Sequence, residues 1–248
     1  LYDGKMVVIT NLASASASEI FAAAIQDYGR GLVVGSTTTG KGSAQIQLDN
    51  LALGSATLTQ RKFYRVTGGS TQNKGVVPDV ELVNIYDDAT FGERSQKKAL
   101  PWDTIKTAPF KPERKFTAST LATLNQQSKI RQQQDPQFVY LSTLNDIRDM
   151  DDEKKPVDLD INKRRAKMQL IEDRTLAAEN KRLIATGERP YANWSTYQAA
   201  MDSKFEERSQ MKESARSQLP ESEVFITEAA YLMLSANPMV PISPEEKL

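Results

Sequence analysis

Two short segments near the start of the 248-residue chain carry the residue types that do chemistry. The first is Ser14-Ala15-Ser16-Ala17-Ser18-Glu19, set between a short apolar run and an alanine-rich stretch. Ser16 and Glu19 have the spacing of a capping box, in which a serine heads a helix and a glutamate three residues on reaches back to the serine N–H. The same placement sets a hydroxyl beside unpaired first-turn N–H groups at the positive end of a helix dipole. Such donors stabilise the oxyanion of a tetrahedral intermediate. Both readings stand on these residues. The second segment is Gly35-Ser36-Thr37-Thr38-Thr39-Gly40-Lys41-Gly42. It nearly spells a phosphate-binding loop. However, Gly42 stands where a magnesium-binding hydroxyl is needed, and Ser43–Leu48 reads as a strand rather than the helix whose N-terminus would face a phosphate. The plain reading is a glycine loop with a solvated lysine, and the chemical reading is a lysine base.

The chain contains no His and no Cys. That removes a Ser-His-Asp triad, thiolate nucleophiles, thiolate zinc sites and disulfides together. A hydrolase built from these residues must take Lys, Asp or Glu as its base, and a lysine serves when burial lowers its pKa. No metal or other cofactor is called for. If residues 41–45 are extended, Lys41, Ser43 and Gln45 share one face, and Gln45 would hold the neutral amine toward Ser16.

The elements that must position these residues follow from pattern. Met6–Thr10 is an apolar run of buried-strand type. Ser16–Tyr28 reads as a helix stopped at Gly29, and Gly31–Gly35 as a second buried strand. Strand, helix, strand is a βαβ unit with parallel pairing. Ser43–Leu48 and Ala56–Val66 read as further strands, with a turn at Gly68-Gly69. Later in the chain, Phe138, Leu141, Leu144, Ile147 and Met150 mark one helix face. Leu170, Ile171, Leu176, Leu183 and Ile184 lie in a long polar helix running to Gly187. Tyr197, Met201 and Phe205 repeat behind the capping residue Asn193, and Val224–Leu234 closes the helical series. Residues 157–161 alternate as a lone strand would. The tail from Pro238 carries three prolines and is expected to be loosely ordered.

Composition divides the chain near residue 85. Residues 1–80 hold 10 of the 12 glycines and 12 of the 64 charged residues. Strands and turns therefore come first and solvated helices after. The expected domains are 1–86 for a mixed α/β core, 87–114 for a connector broken by Gly92, Pro101, Pro109 and Pro112, and 115–248 for a mainly α-helical domain. Lys+Arg and Asp+Glu balance at 32 each, against a dedicated nucleic-acid binder. No apolar run reaches the roughly 18–20 residues of a membrane span. The absence of Cys suits an oxidising compartment without requiring one. The chain opens at Leu1 directly before a strand, as a piece of a longer polypeptide would.

Three segments, in order, resemble the carboxyl-terminal processing, or tail-specific, proteases: Asn11–Arg30 around Ser16, Gly35–Gln45 ending Gly-Lys-Gly-Ser-Ala-Gln, and Phe63–Asp79 ending Gly-Val-Val-Pro-Asp. The chain is most similar to the long periplasmic form of Gram-negative bacteria, which carries a helical region behind its protease core. The resemblance implies part of a ClpP/crotonase-like α/β core followed by a mainly helical C-terminal domain. It implies a serine endopeptidase working through an acyl-enzyme, with Ser16 as nucleophile, Lys41 as general base, Gln45 orienting the lysine, the Ala17 N–H as an oxyanion donor and Asp27 contributing to activity. Protein substrates taken by their C-termini, a periplasmic location and a lipoprotein adaptor are implied in the same way. The family's upstream glycine-rich oxyanion segment and PDZ domain are not in these residues, so the chain alone is expected to be weakly active or inactive. The other reading is a non-catalytic helical module that docks a partner or encloses substrate.

Overall fold

The first expected strand forms β1 (Val7–Thr10) and the second forms β2 (Leu32–Gly35), paired in parallel with Val7 opposite Leu32 and Thr10 opposite Gly35. Helix α1 (Ala17–Asp27) connects them. A computed structural model describes residues 2–86, 90–112, 114–150, 158–211, 220–236 and 240–241. It forms two units, Leu1–Lys129 with Phe225–Leu248, and Ile130–Val224.

In the first unit α1 approaches the sheet through small side chains. Ala22 and Ala23 are buried against Val33 and Val76, with Val8 packed alongside. β2 is buried along its whole length, whereas β1 exposes Ile9. The strand order β1-β2-β5 explains the difference, because β1 lies at an edge of this sheet. β5 (Val80–Glu81) pairs parallel with β2, a strand that the sequence pattern did not call for. Asp79, just before β5, accepts hydrogen bonds from Val33 N at 2.8 Å and Gln26 Nε2 at 2.9 Å, tying α1, β2 and β5 together.

β3 (Ser43–Leu51) and β4 (Gly54–Lys62) form a separate antiparallel ribbon. β4 stops at Lys62, short of the expected Val66. The chain then bends at Gly68-Gly69, with Tyr64 bridged to Ser70. Within the connector, residues 102–108 run as a strap along this bend. Ile105 N donates to Gly68 O, Ala108 N to Val66 O, and Trp102 Nε1 to Ser70 O. Lys74 lies over the Trp102 ring, 3.3 Å from its centre. A short helical turn (Glu93–Ser95) precedes the strap. β6 (Arg114–Lys115) pairs with β7 (Val240–Pro241), while the rest of the tail expected to be loosely ordered, 238–239 and 242–248, lies outside the described residues.

The helical series follows: α2 (Ala118–Gln134), α3 (Pro136–Met150), α4 (Ile161–Ala185), α5 (Trp194–Gln210) and α6 (Pro220–Ser235). Within the second unit Phe138, Ile147, Ala178, Leu183 and Tyr197 are buried. A bidentate pair between Arg182 and buried Glu179, at 2.9 and 2.8 Å, lies beside Tyr140. Of the α5 repeat only Tyr197 is buried, and Phe205 is 74% exposed. The lone strand expected at 157–161 is not formed. Asp160 caps α4 by accepting from Asn162 N at 2.8 Å, and Ile161 is already helical; Val157 lies outside the described residues. The alternating aspartates there serve a helix start, a use that period-two reading cannot distinguish from a strand.

Burial pushes the Asp79 pKa above the usual carboxylate value, outweighing its hydrogen bonds from Val33 and Gln26 and the field of Arg65. The folded chain therefore binds this proton more tightly than the unfolded chain. The charged form costs stability above the folded pKa, and that cost is relieved as pH falls toward the unfolded value of about 3.9. Urea midpoints of Asp79→Asn and the unaltered chain should consequently shift in favour of the variant as pH rises from 4 to 7; a difference constant over that range would contradict the assignment.

Candidate active site

Ser16 is the residue before α1 and has φ 56° and ψ −111°, a left-handed backbone that a side-chain-bearing residue adopts at a cost of order 1–3 kcal/mol. Its carbonyl accepts from Glu19 N and Ile20 N, which starts the helix. The hydroxyl has the placement of a capping box but completes no cap hydrogen bond. The half-buried Ser16 side chain is thus held at a helix start without being consumed by it.

What holds the backbone there is Glu19, whose residue is 0% exposed. Oε2 accepts from Ser16 N at 2.9 Å and from Lys41 N at 2.8 Å. Oε1 accepts from Thr38 Oγ1 at 2.5 Å and Gly40 N at 2.7 Å. Four donors surround one carboxylate, and two of them are the main-chain N–H groups of the residues proposed as nucleophile and base. Thr38 is itself buried, and its Oγ1 also accepts from Val76 N at 2.7 Å.

The Lys41 loop is packed from its other side. Gly40 has φ +86°, and a Cβ on Gly42 would come within 2.4 Å of Gln72 N, so both flanking positions require glycine. Fully buried Gln72 accepts from Gly42 N at 2.9 Å and donates to Glu93 Oε1 at 2.8 Å. Glu93 N in turn donates to Thr39 O at 2.9 Å. No helix follows Lys41; the next element is β3. The loop therefore does not present a helix N-terminus to a phosphate.

Ala17, the first residue of α1, is exposed, and its N–H makes no hydrogen bond among the described residues, so it is available as an oxyanion donor. Gln45 lies on β3 and donates to Ser43 Oγ at 3.0 Å and Thr59 Oγ1 at 3.4 Å, with no bond to Lys41. A register shift between Ala44 and Gln45 breaks the simple alternation that would have put Lys41 and Gln45 on one face. Asp27 sits at the far end of α1, about 16 Å along the axis from Ser16. There it pairs with Arg65 through Nε at 3.0 Å and Nη2 at 2.5 Å, and its side chain is 6% exposed. The main chains of Ser16 and Lys41 meet at Glu19, but no hydrogen bond joins Ser16 Oγ to Lys41 Nζ. Lys41 Nζ has no ion-pair partner among the described residues.

Glu19, Thr38 and Gln72 are site residues that the sequence reading missed. Glu19 was visible only as the fourth member of a capping box. Its second role appears when the chain returns through β2 to bring Gly40 and Lys41 onto the same carboxylate, a contact across 22 residues.

Residues 86–236 match the C-terminal domain of tail-specific protease, and residues 1–82 match peptidase family S41. The tail-specific protease of Haemophilus influenzae is 37% identical over 198 residues, 76% of this chain and 28% of that protein. The carboxy-terminal-processing protease of Bartonella bacilliformis is 40% identical over 94 residues, 36% of this chain and 22% of the relative. The chloroplastic C-terminal processing peptidase of Tetradesmus obliquus is 44% identical over 78 residues, 31% of this chain and 17% of the relative. The matched part of the chain thus spans between 17% and 28% of the length of these relatives. No helix among the described residues is long and apolar enough to cross a membrane.

Replacing Glu19 by Gln keeps the size but turns two amide protons toward groups that already donate. A buried donor left facing a donor costs about 1–3 kcal/mol, and more where the lost acceptor was charged. The expected loss of unfolding free energy for Glu19→Gln is therefore about 2–4 kcal/mol, read by urea denaturation. A loss below about 0.5 kcal/mol, the ordinary range for a surface substitution, would contradict the four-donor arrangement.

Proposed function

The chain belongs to the tail-specific protease family, and on that premise we propose that Ser16 and Lys41 form a serine–lysine dyad that hydrolyses peptide bonds. The observation that carries the proposal is the shared Glu19 oxygen, which accepts from the main-chain N–H of both residues. In this mechanism the neutral Lys41 amine takes the proton from Ser16 Oγ as that oxygen attacks the scissile carbonyl. The carbonyl oxygen becomes an oxyanion facing the free Ala17 N–H. Lys41 then passes its proton to the departing amine, leaving an acyl-enzyme on Ser16. A water deprotonated by Lys41 attacks the ester, and the collapsing intermediate releases the new carboxyl end while Ser16 regains its proton. No metal or cofactor enters the scheme.

The remaining residues have supporting parts. Gln45 orients the lysine once substrate or further protein displaces its contacts to Ser43 and Thr59. Asp27 acts through structure: its pair with Arg65 fixes the far end of the helix whose near end carries Ser16. By family resemblance, the complete enzyme acts in the periplasm on proteins taken by their C-termini, with a lipoprotein adaptor as partner. The unmade Ser16–Lys41 hydrogen bond favours a chain that is weakly active by itself, completed by the rest of the polypeptide that the relatives carry.

The test is peptide cleavage by the complete polypeptide. Ser16→Ala and Lys41→Ala are each expected to lower kcat/KM at least about a thousandfold, and the double variant to lose little more than either single one, because the two act as a unit. Full activity in Lys41→Ala would eliminate the dyad.

A further inference from the structure

The Lys41 loop is held from two sides, and Glu19 accounts for only one of them. On the other side, fully buried Gln72 accepts from Gly42 N at 2.9 Å. Gly42 N also donates to Gly40 O at 3.1 Å, and Gly40 O accepts from Asn73 N at 2.8 Å. The two ends of the Gln72 amide are nearly the same shape, so only their partners decide which way it faces. One end meets the Gly42 N–H, a donor. The other meets Glu93 Oε1 at 2.8 Å, and an ionised carboxylate only accepts. Glu93 thus draws the amide NH2 toward itself and leaves the carbonyl for Gly42. With the amide reversed, donor would face donor at Gly42 and acceptor would face acceptor at Glu93. Glu93 is itself tied to the loop, because its N–H donates to Thr39 O at 2.9 Å. Gly92, at φ +96°, permits this approach; a Cβ there would lie 3.2 Å from Thr39 O. The half-buried Glu93 carboxylate has no other hydrogen bond or ion pair among the described residues.

We propose that Glu93 is a positioning residue for the Lys41 base, acting by fixing the direction of the Gln72 amide. The inference rests on the serine–lysine reading and adds a residue from outside the protease core. Position 93 lies in the stretch that matches the C-terminal domain, not in the stretch that matches the peptidase. The part of the chain behind the core therefore supplies one side of the clamp on the catalytic loop. Gly42 follows Lys41 directly, so a loosened Gly42 N–H moves the main chain that carries the amine. Glu93 touches no reacting atom, and its effect falls on the rate of the chemical step rather than on substrate binding.

The test combines peptide cleavage by the complete polypeptide with hydrogen exchange at the Gly42 amide of the 248-residue chain. Glu93→Ala is expected to lower kcat about ten- to a hundredfold with KM changed less than about twofold. Exchange at Gly42 should quicken at least about tenfold in the same variant. Glu93→Gln still offers a carbonyl to the Gln72 NH2 and should keep kcat within about fivefold of the unaltered enzyme. Gln72→Glu sets two carboxylates face to face and should lower kcat as far as Glu93→Ala. Adding Glu93→Gln to Gln72→Glu should restore kcat, because the carboxylate then at position 72 accepts from both Gly42 N and the new amide. In a Lys41→Ala background, Glu93→Ala should cost little more. Unchanged Gly42 exchange in Glu93→Ala would overturn the amide relay whichever base the enzyme uses. Quickened exchange with undiminished kcat, where Lys41→Ala is inactive, would overturn the positioning role and leave the dyad standing. Full activity in Lys41→Ala would instead remove the dyad, and the positioning role with it, even where exchange bears out the relay. Failure of the second substitution to rescue Gln72→Glu would also contradict the proposal.

Discussion

A single buried carboxylate fixes the geometry on which the site depends. Glu19 is wholly enclosed, and an enclosed charge persists only if its oxygens are fully engaged. Here all four donors come from two short stretches, the turn before α1 and the loop after β2. The requirement to satisfy Glu19 therefore sets the distance between the Ser16 and Lys41 main chains more tightly than packing alone would. It also explains how Ser16 keeps its left-handed backbone. A strained conformation survives where its surroundings over-determine it, and the bond from Ser16 N to Glu19 is one such constraint.

The rest of the first unit supports this carboxylate at one remove. Ala22 and Ala23 let α1 lie close on Val33, and Glu19, one turn earlier on the same helix, meets the loop after β2. Gly40 and Gly42 let the Lys41 loop turn and press against Gln72, and Gln72 hands the contact on to Glu93 in the connector. The connector is thus a structural partner of the site through Glu93, and its strap along the Gly68-Gly69 bend keeps it in place. At the other end of α1, Asp27 with Arg65 and Gln26 with Asp79 prevent the helix from rotating on the sheet.

Much of this was legible in the residues, and the limits are physical. Ser16 at a helix start, Gly29 as its stop and the strand–helix–strand order follow from local chemistry, because caps and periodicity are properties of neighbouring residues. β5 was not legible, since two residues carry no period. The aspartates at 158 and 160 alternate as a strand would and instead cap a helix. Phe205 continues an apolar stripe and yet lies exposed, because a pattern records which face is apolar and not whether anything covers it. Glu19 is the most instructive case. Its local role was correct, but its contacts with Thr38, Gly40 and Lys41 arise only when the fold closes. The Ser16 and Lys41 segments carried a family resemblance, while the residue joining them carried only a cap.

The central claim is that Glu19 aligns Ser16 with Lys41 for chemistry. The most direct measurement is the rate of Ser16 acylation by a fluorophosphonate probe in the complete polypeptide, comparing Glu19→Gln with the unaltered protein under conditions where both remain folded. The account predicts a fall of at least about a hundredfold, because displacing either main chain by about an ångström spoils the attack geometry. Acylation at an undiminished rate in folded Glu19→Gln would contradict it.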